Sequence, residues 1–147
     1  MKQVFLSIAL FVICAVTLQA QVIFSQNFDG LTAGSGTHVA AQLGAPYTTW
    51  SGTTGAAEDP AVMTTQASSA PNSVYVATTS NDFVIHLSDK TTGRYKLGFK
   101  IFVESGKIGY FNILNDFAGS SSVWAMQTYF KSNGYCVVDA GAASADS

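Results

Sequence analysis

From Gln21 onward the apolar residues of this chain recur at every second position far more often than at helical spacing, and period two is the mark of a half-buried strand. The clearest run is Arg94 to Val103. Tyr95, Leu97, Phe99, Ile101 and Val103 fall on one face of it, and Arg94, Lys96, Gly98 and Lys100 on the other, which predicts a strand with one side on a core and one in water. Phe83, Ile85 and Leu87 alternate with Val84 and His86 just before it, and Ser88-Asp89-Lys90-Thr91-Thr92-Gly93 supplies turn residues between the two runs, so they read as an antiparallel pair. Further strands are expected at Val22–Asn27, Ser73–Ala77, Lys107–Leu114, Val123–Phe130 and Tyr135–Asp139, each bounded by Gly, Ser, Asn or Asp. Glu104-Ser105-Gly106-Lys107 reads as a tight hairpin, and Lys131-Ser132-Asn133-Gly134 holds the Asn-Gly pair favoured in type I′ turns. Leu31 to Ala70, rich in Gly, Ala, Ser and Thr and anchored by Trp50, reads as long loops around one or two short strands. The expected fold class is all-β, an antiparallel β-sandwich.

The first twenty residues break this pattern. Lys2 is a positive n-region, Val4 to Ile13 an apolar h-region, and Thr17-Leu18-Gln19-Ala20 ends on a small residue suited to signal-peptidase cleavage, so residues 1–20 read as a secretory signal. Cys14 invites lipidation, but Ile13 stands before it where Gly, Ala or Ser is wanted. No later segment approaches the roughly 20 apolar residues of a bilayer crossing. The expectation is a secreted, extracellular or cell-surface protein with no membrane span.

Removing Lys2 with the signal leaves six basic against nine acidic residues, a net charge of about −3, with no basic cluster to neutralise phosphates. Nucleic acid is excluded as an expected partner. Charged residues are only 11% of the chain against a usual share of about 25%, so hydroxyls and backbone solvate much of the surface. About 127 residues remain, enough for one domain, placed at 21–139. Cys136 is then the one cysteine left, which rules out an intrachain disulfide, and in Tyr135-Cys136-Val137-Val138 it reads as a small buried strand residue. Ala140 to Ser147 is a small-residue tail with no apolar strand, so either the first strand pairs internally or the sequence stops inside the domain.

Val22-Ile23-Phe24-Ser25-Gln26-Asn27-Phe28-Asp29-Gly30-Leu31, Trp50-Ser51, Glu58-Asp59-Pro60-Ala61-Val62, Asn72-Ser73-Val74-Tyr75-Val76, Asn81-Asp82-Phe83-Val84, Thr92-Gly93-Arg94-Tyr95, Phe102-Val103-Glu104-Ser105-Gly106-Lys107 and Gly109-Tyr110-Phe111-Asn112-Ile113 form a further pattern. It resembles the amino-terminal jelly-roll module of secreted bacterial surface proteins, which is similar to concanavalin A-like, LamG-like and MAM-like sandwiches. The resemblance implies export through the type IX secretion system, although the carboxy-terminal sorting domain of that route is absent from this sequence. It also implies a module that continues for several strands past Asp139. Its motifs point to the module more than to a function, because this architecture hosts adhesins, lectins and accessory domains of enzymes.

Catalysis finds little support in the residues. No strand carries the two carboxyls a glycosidase sets across a sugar, and Glu58-Asp59, being adjacent, read as solvated surface acids. His38 and His86 are the two histidines, neither near a Gly-x-Ser-x-Gly elbow, and no zinc-ligand spacing occurs. No cofactor is expected beyond a structural calcium ion, for which turn oxygens from Asp29 and Asp82 are the first candidates. Sugar recognition would lay an apolar sugar face on an exposed ring, and Trp50, Tyr47, Trp124 and Tyr129 are the conceivable platforms. The expected function is a non-catalytic binding or adhesion module for a glycan or surface protein. The alternative is an accessory domain of a secreted hydrolase whose catalytic part lies outside this sequence.

Overall fold

The structure, a computed structural model, describes residues 21–140. The signal assigned to residues 1–20 and all but the first residue of the 140–147 tail lie outside the described residues. The regular structure is mostly antiparallel strand, with very little helix, joined by long loops. The order is α1 (Val39–Leu43), β1 (Tyr47–Thr48), β2 (Ala61–Met63), β3 (Ser73–Tyr75), β4 (Val84–Ile85), β5 (Gly109–Asp116), a 3₁₀ turn at Gly119–Ser121, β6 (Val123–Phe130) and β7 (Cys136–Asp139). Three small sheets result: β1 with β4, β2 with β3, and the meander β5-β6-β7. Among the described residues no helix is long and apolar enough to cross a membrane.

The meander is the largest unit, and the sequence alternation places it well. Tyr110 pairs with Tyr129 and Asn112 with Gln127, so these four side chains share one face, while Phe111 and Thr128 lie on the other. Ile113 pairs with Met126 but Leu114 with Trp124, which leaves Ala125 as an extra, bulged residue, and Asn115 is extra in the same way between Leu114 and Asp116. The bulge brings Trp124 level with Leu114, onto the Tyr110–Asn112 face. The β6–β7 turn is not the expected type I′. Gly134 alone of the Asn-Gly pair takes a positive φ, 85°; its N–H donates to the Lys131 carbonyl, and the Lys131 N–H to the Tyr135 carbonyl. This is the three-residue loop in which a type I turn is closed by a left-handed Gly.

The loops between Leu31 and Ala70 contain two short strands, where one or two were expected, and a five-residue helix that the strand period did not foretell. The most buried apolar residues lie in this part of the molecule: Val39, Ala40, Tyr47 and Val62. Polar groups are buried with them. Asp59 accepts the N–H groups of Ala40 and Ala41 at 2.9 Å and of Gly55 at 3.0 Å, capping α1 from outside its own segment. The Asn72 amide donates to the carbonyls of Phe28, Asp29 and Leu31, the last at 2.6 Å, and so fixes a turn in which Phe28 has φ 65°. Asp59 is thus a buried structural acid and not a solvated one.

Two expected strands are missing. Val22–Asn27 joins no ladder, and Val22 and Ile23 are exposed, with Phe24 touching Tyr47 at 5.7 Å between ring centroids. Arg94–Val103 also forms no strand, and β4 pairs with β1 in its place, Tyr47 opposite Ile85. The amphipathic run lies near β5 through side chains: Phe99 meets Phe111 edge-on at 4.7 Å, and a Cβ at Gly109 would come within 2.6 Å of Val103 Cγ2. No backbone ladder accompanies those contacts, and Leu97 and Phe99 stay about half exposed at 51% and 53%. Period two recorded the alternation correctly; it did not record whether a partner strand lies alongside. Cys136, expected buried, is exposed on β7.

Candidate functional site

The residues singled out as ring platforms separate into three settings. Tyr47 is 8% exposed, stacked on Phe83 at 5.8 Å and leaning on Phe24; its ring is engaged in packing. Trp50 and Trp124 are half-buried and stacked on each other, with centroids 5.8 Å apart and planes 14° from parallel. Phe117 stands edge-on to Trp50 at 5.2 Å, and His86 edge-on to Phe117 at 5.0 Å. Tyr129 belongs to the third setting, on the open part of the meander.

There Tyr110 and Tyr129 pack side by side at 4.8 Å, each donating its hydroxyl to Gln127 Oε1 at 3.0 Å. Asn112 Nδ2 donates to the Tyr110 oxygen at 3.1 Å. Gln127 is 7% exposed, whereas Tyr110 is 42% exposed, so a buried amide orients two phenols from beneath. The Lys131 ammonium sits 4.8 Å from the centre of the Tyr129 ring, a cation–π contact. Burial raises the Tyr110 phenol above its ordinary value, against the Asn112 hydrogen bond, and Tyr129 and, least, the Asp82 charge add to the rise.

The loop that carries Trp50 is closed by its own hydrogen bonds and tied to the Asn81–Asp82 turn. Thr49 Oγ1 donates to the Thr53 carbonyl, and Gly52 and Gly55 take the left-handed φ values, 79° and 76°, that turn the chain back. The Ser51 hydroxyl and N–H both donate to the Glu58 carboxylate, the latter at 3.0 Å. The Ser51 hydroxyl is the main reason Glu58 is held below the ordinary carboxylate value, partly offset by burial. The Asp82 N–H donates to the Glu58 carbonyl at 2.8 Å, and Asn81 Nδ2 to the Ala57 carbonyl at 2.7 Å, which ties the Asp82 turn to the Trp50 loop. Burial first, and the Glu58 charge second, raise the Asp82 carboxyl above its ordinary value.

Asp29 lies in a different network, accepting from Asn27 Nδ2 at 2.7 Å and Ser69 Oγ at 3.3 Å. Among the described residues no three His, Cys, Asp or Glu gather as a metal site. His38 Nδ1–H donates to the Asp59 carbonyl at 2.9 Å, and neither histidine is hydrogen-bonded to a hydroxyl among the described residues. A separate cleft of about 390 Å³ lies between the turns at Glu104–Lys107 and Lys131–Tyr135, and contains none of the residues proposed from sequence. Tyr110, Asn112 and Gln127 were the members that sequence reading passed over. The period-two spacing of Tyr110 and Asn112 was the available signal.

Comparison of the chain with protein-family models, with curated proteins and with solved structures gives no match in any of the three.

Proposed function

We propose that this chain is an exported, non-catalytic binding module of jelly-roll type, and that it holds a carbohydrate on the Tyr110–Tyr129 face of the meander. The observation that carries the reading is the pair of phenols set side by side by one buried amide, Gln127. Sugars offer an apolar C–H face and a rim of hydroxyls, and an oriented aromatic surface edged by amide and hydroxyl groups matches both. Asn112 borders the rings on one side, and the stacked Trp50 and Trp124 extend the aromatic surface toward the loop. Adhesion at a cell surface, and the resemblance to amino-terminal modules of type IX-exported proteins, belong to the same proposal.

A glycan array followed by titration calorimetry on the best oligosaccharide tests it. Tyr129→Ala and Tyr110→Ala should each weaken binding by about tenfold or more, the loss of a ring contact of roughly 1–2 kcal/mol. Tyr47→Phe, which changes a packed ring, should leave affinity unaltered. Binding that survives both alanine variants would move the site elsewhere, and no binding to any glycan would overturn the reading.

A further inference from the structure

We infer that the ligand is a stretch of several sugars within a linear polysaccharide, held at two neighbouring places. One is the Tyr110–Tyr129 face; the other is the cleft between the turns at Glu104–Lys107 and Lys131–Tyr135. This rests on the carbohydrate reading of the tyrosine face and goes beyond it by adding a second subsite and naming the form of the ligand.

The register of the ladder puts the two places side by side. Gly109 opposite Phe130 is the last pair of β5 and β6, and Tyr110 opposite Tyr129 is the pair next to it. Both turns lie at that same end of the sheet, one leading into β5 and the other leaving β6. Lys131 is their common border with the tyrosines: it lines the cleft, and its Nζ lies 4.8 Å from the centre of the Tyr129 ring. Along β6 it stands two residues beyond Tyr129, about 7 Å at the rise of a strand. A single sugar on the tyrosines stops short of the cleft, whereas an oligosaccharide running toward this end of the sheet enters it.

The cleft has the chemistry to take the next sugar. Its volume of about 390 Å³ falls in the range of small-molecule sites, roughly 300–1,000 Å³. Ile101, Val103 and Phe130 give it apolar walls. Tyr135 adds a ring that is 72% exposed, and Glu104 and Lys107 add an acceptor and a donor for sugar hydroxyls. The hydrogen bonds that shape the turns come from the backbone and from Asn133. The Lys107 N–H donates to the Glu104 carbonyl at 3.0 Å, the Lys131 N–H to the Tyr135 carbonyl at 2.8 Å, and the Tyr135 N–H to Asn133 Oδ1 at 3.2 Å. The side chains of Glu104, Lys107 and Tyr135 take no part in those bonds and stay exposed. A fixed backbone therefore presents an open ring and two polar groups, which limits the entropy lost when a ligand settles on them.

The test is a length series. Cello-, chito- and manno-oligosaccharides of one, two, four and six units are titrated into the secreted chain. In the series that binds, the hexamer should bind at least tenfold more tightly than the monomer. Tyr135→Ala should weaken the hexamer about tenfold and leave the monomer unchanged, and Lys107→Ala should act in the same direction. Tyr110→Ala should weaken both lengths. Longer oligomers also gain from having more registers in which to bind, but Tyr135→Ala does not remove that gain, so the variant separates the two causes. Affinity that does not rise with length, or a hexamer untouched by both Tyr135→Ala and Lys107→Ala, overturns the inference and leaves the carbohydrate reading standing. Equal losses for monomer and hexamer in Tyr135→Ala also overturn it, because the cleft then acts alone. Failure of all three series to bind overturns both.

Discussion

Asp59 grips the first turn of helix α1 through Ala40, its Oδ1 accepting the Ala40 N–H at 2.9 Å across nineteen residues of sequence. Its second oxygen takes the Ala41 and Gly55 N–H groups, so one buried carboxylate joins the helix to the loop that carries Trp50. A five-residue helix has almost no stability of its own. Asp59→Ala would leave three donors without their acceptor, at a cost of roughly 3 kcal/mol or more. Asp59→Asn retains one acceptor oxygen and should fall between Ala and wild type. Asp89→Ala, at an exposed turn, should change stability by no more than about 0.5 kcal/mol. Urea unfolding of the three variants checks the order, and an Asp59→Ala protein as stable as wild type would refute the capping role.

The Asp82 and Glu58 carboxyls should respond to pH with opposite signs. Asp82 binds its proton more tightly in the folded chain, so its contribution to stability falls as pH rises above its ordinary value of 3.8 and stays low at neutrality. Asp82→Asn should therefore melt higher than wild type at neutral pH, with the gain shrinking once the pH is below that value. Glu58 is shifted the other way. Its stabilisation is present above its ordinary value of 4.5 and is lost as the pH falls through the lowered folded value. Glu58→Gln should accordingly melt lower at neutral pH and converge with wild type in acid. Melting curves across the acid range decide both, and a lower neutral melting point for Asp82→Asn would show that its charge has a favourable partner.

The meander was legible because its information is local. In Lys107–Leu114 and Val123–Phe130 alternation, bounding turns and length agree, and β6 spans the very residues expected of it. Trp124 was harder, since only the bulge at Ala125 settles its face, and a bulge leaves no trace in period two. Asp59 was misread because a carboxylate beside another looks like solvated surface until donors nineteen residues away are known to converge on it. Arg94–Val103 shows the reverse error: a strand's amphipathic pattern specifies which side wants burial, while the ladder depends on another segment. The tyrosine cluster was half legible. Tyr129 could be named from its sequence context, but Gln127 acquires its role only once β5 lies beside β6.

Gly109 is one of the places where the Arg94–Val103 run meets the meander. An added Cβ would lie 2.6 Å from Val103 Cγ2 and 3.4 Å from Phe130 Cδ2, so Gly109→Ala must push Val103 or the strand aside. The backbone itself is not in the left-handed region, and the penalty is purely one of space. Overpacking of this kind typically costs about 1–3 kcal/mol. The double variant Gly109→Ala with Val103→Ala removes the obstructing methyls and should recover part of the loss. A double-mutant cycle reads this as a coupling energy, and strict additivity would show that the two residues do not meet.

The apolar side of that same run leaves a row of large hydrophobic side chains accessible. Tyr95, Leu97, Phe99 and Ile101 all remain accessible, and Phe102, Ile108, Val137 and Val138 are accessible as well. Large contiguous apolar patches on a folded surface bind other apolar surfaces, and β7 adds valines along a sheet edge with no lysine or proline in it. The chain should therefore bind a hydrophobic dye in its folded state and associate as its concentration rises. Leu97→Ser combined with Phe102→Ser should reduce both effects while the near-ultraviolet signal of the Trp50–Trp124 stack stays intact, because both side chains are largely exposed and neither belongs to that stack. Val138→Lys places a charge on the exposed strand and should suppress association further. Dye fluorescence and light scattering over a concentration series measure the two effects. A chain that stays monomeric and dark to the dye at high concentration would refute an associating role for this surface.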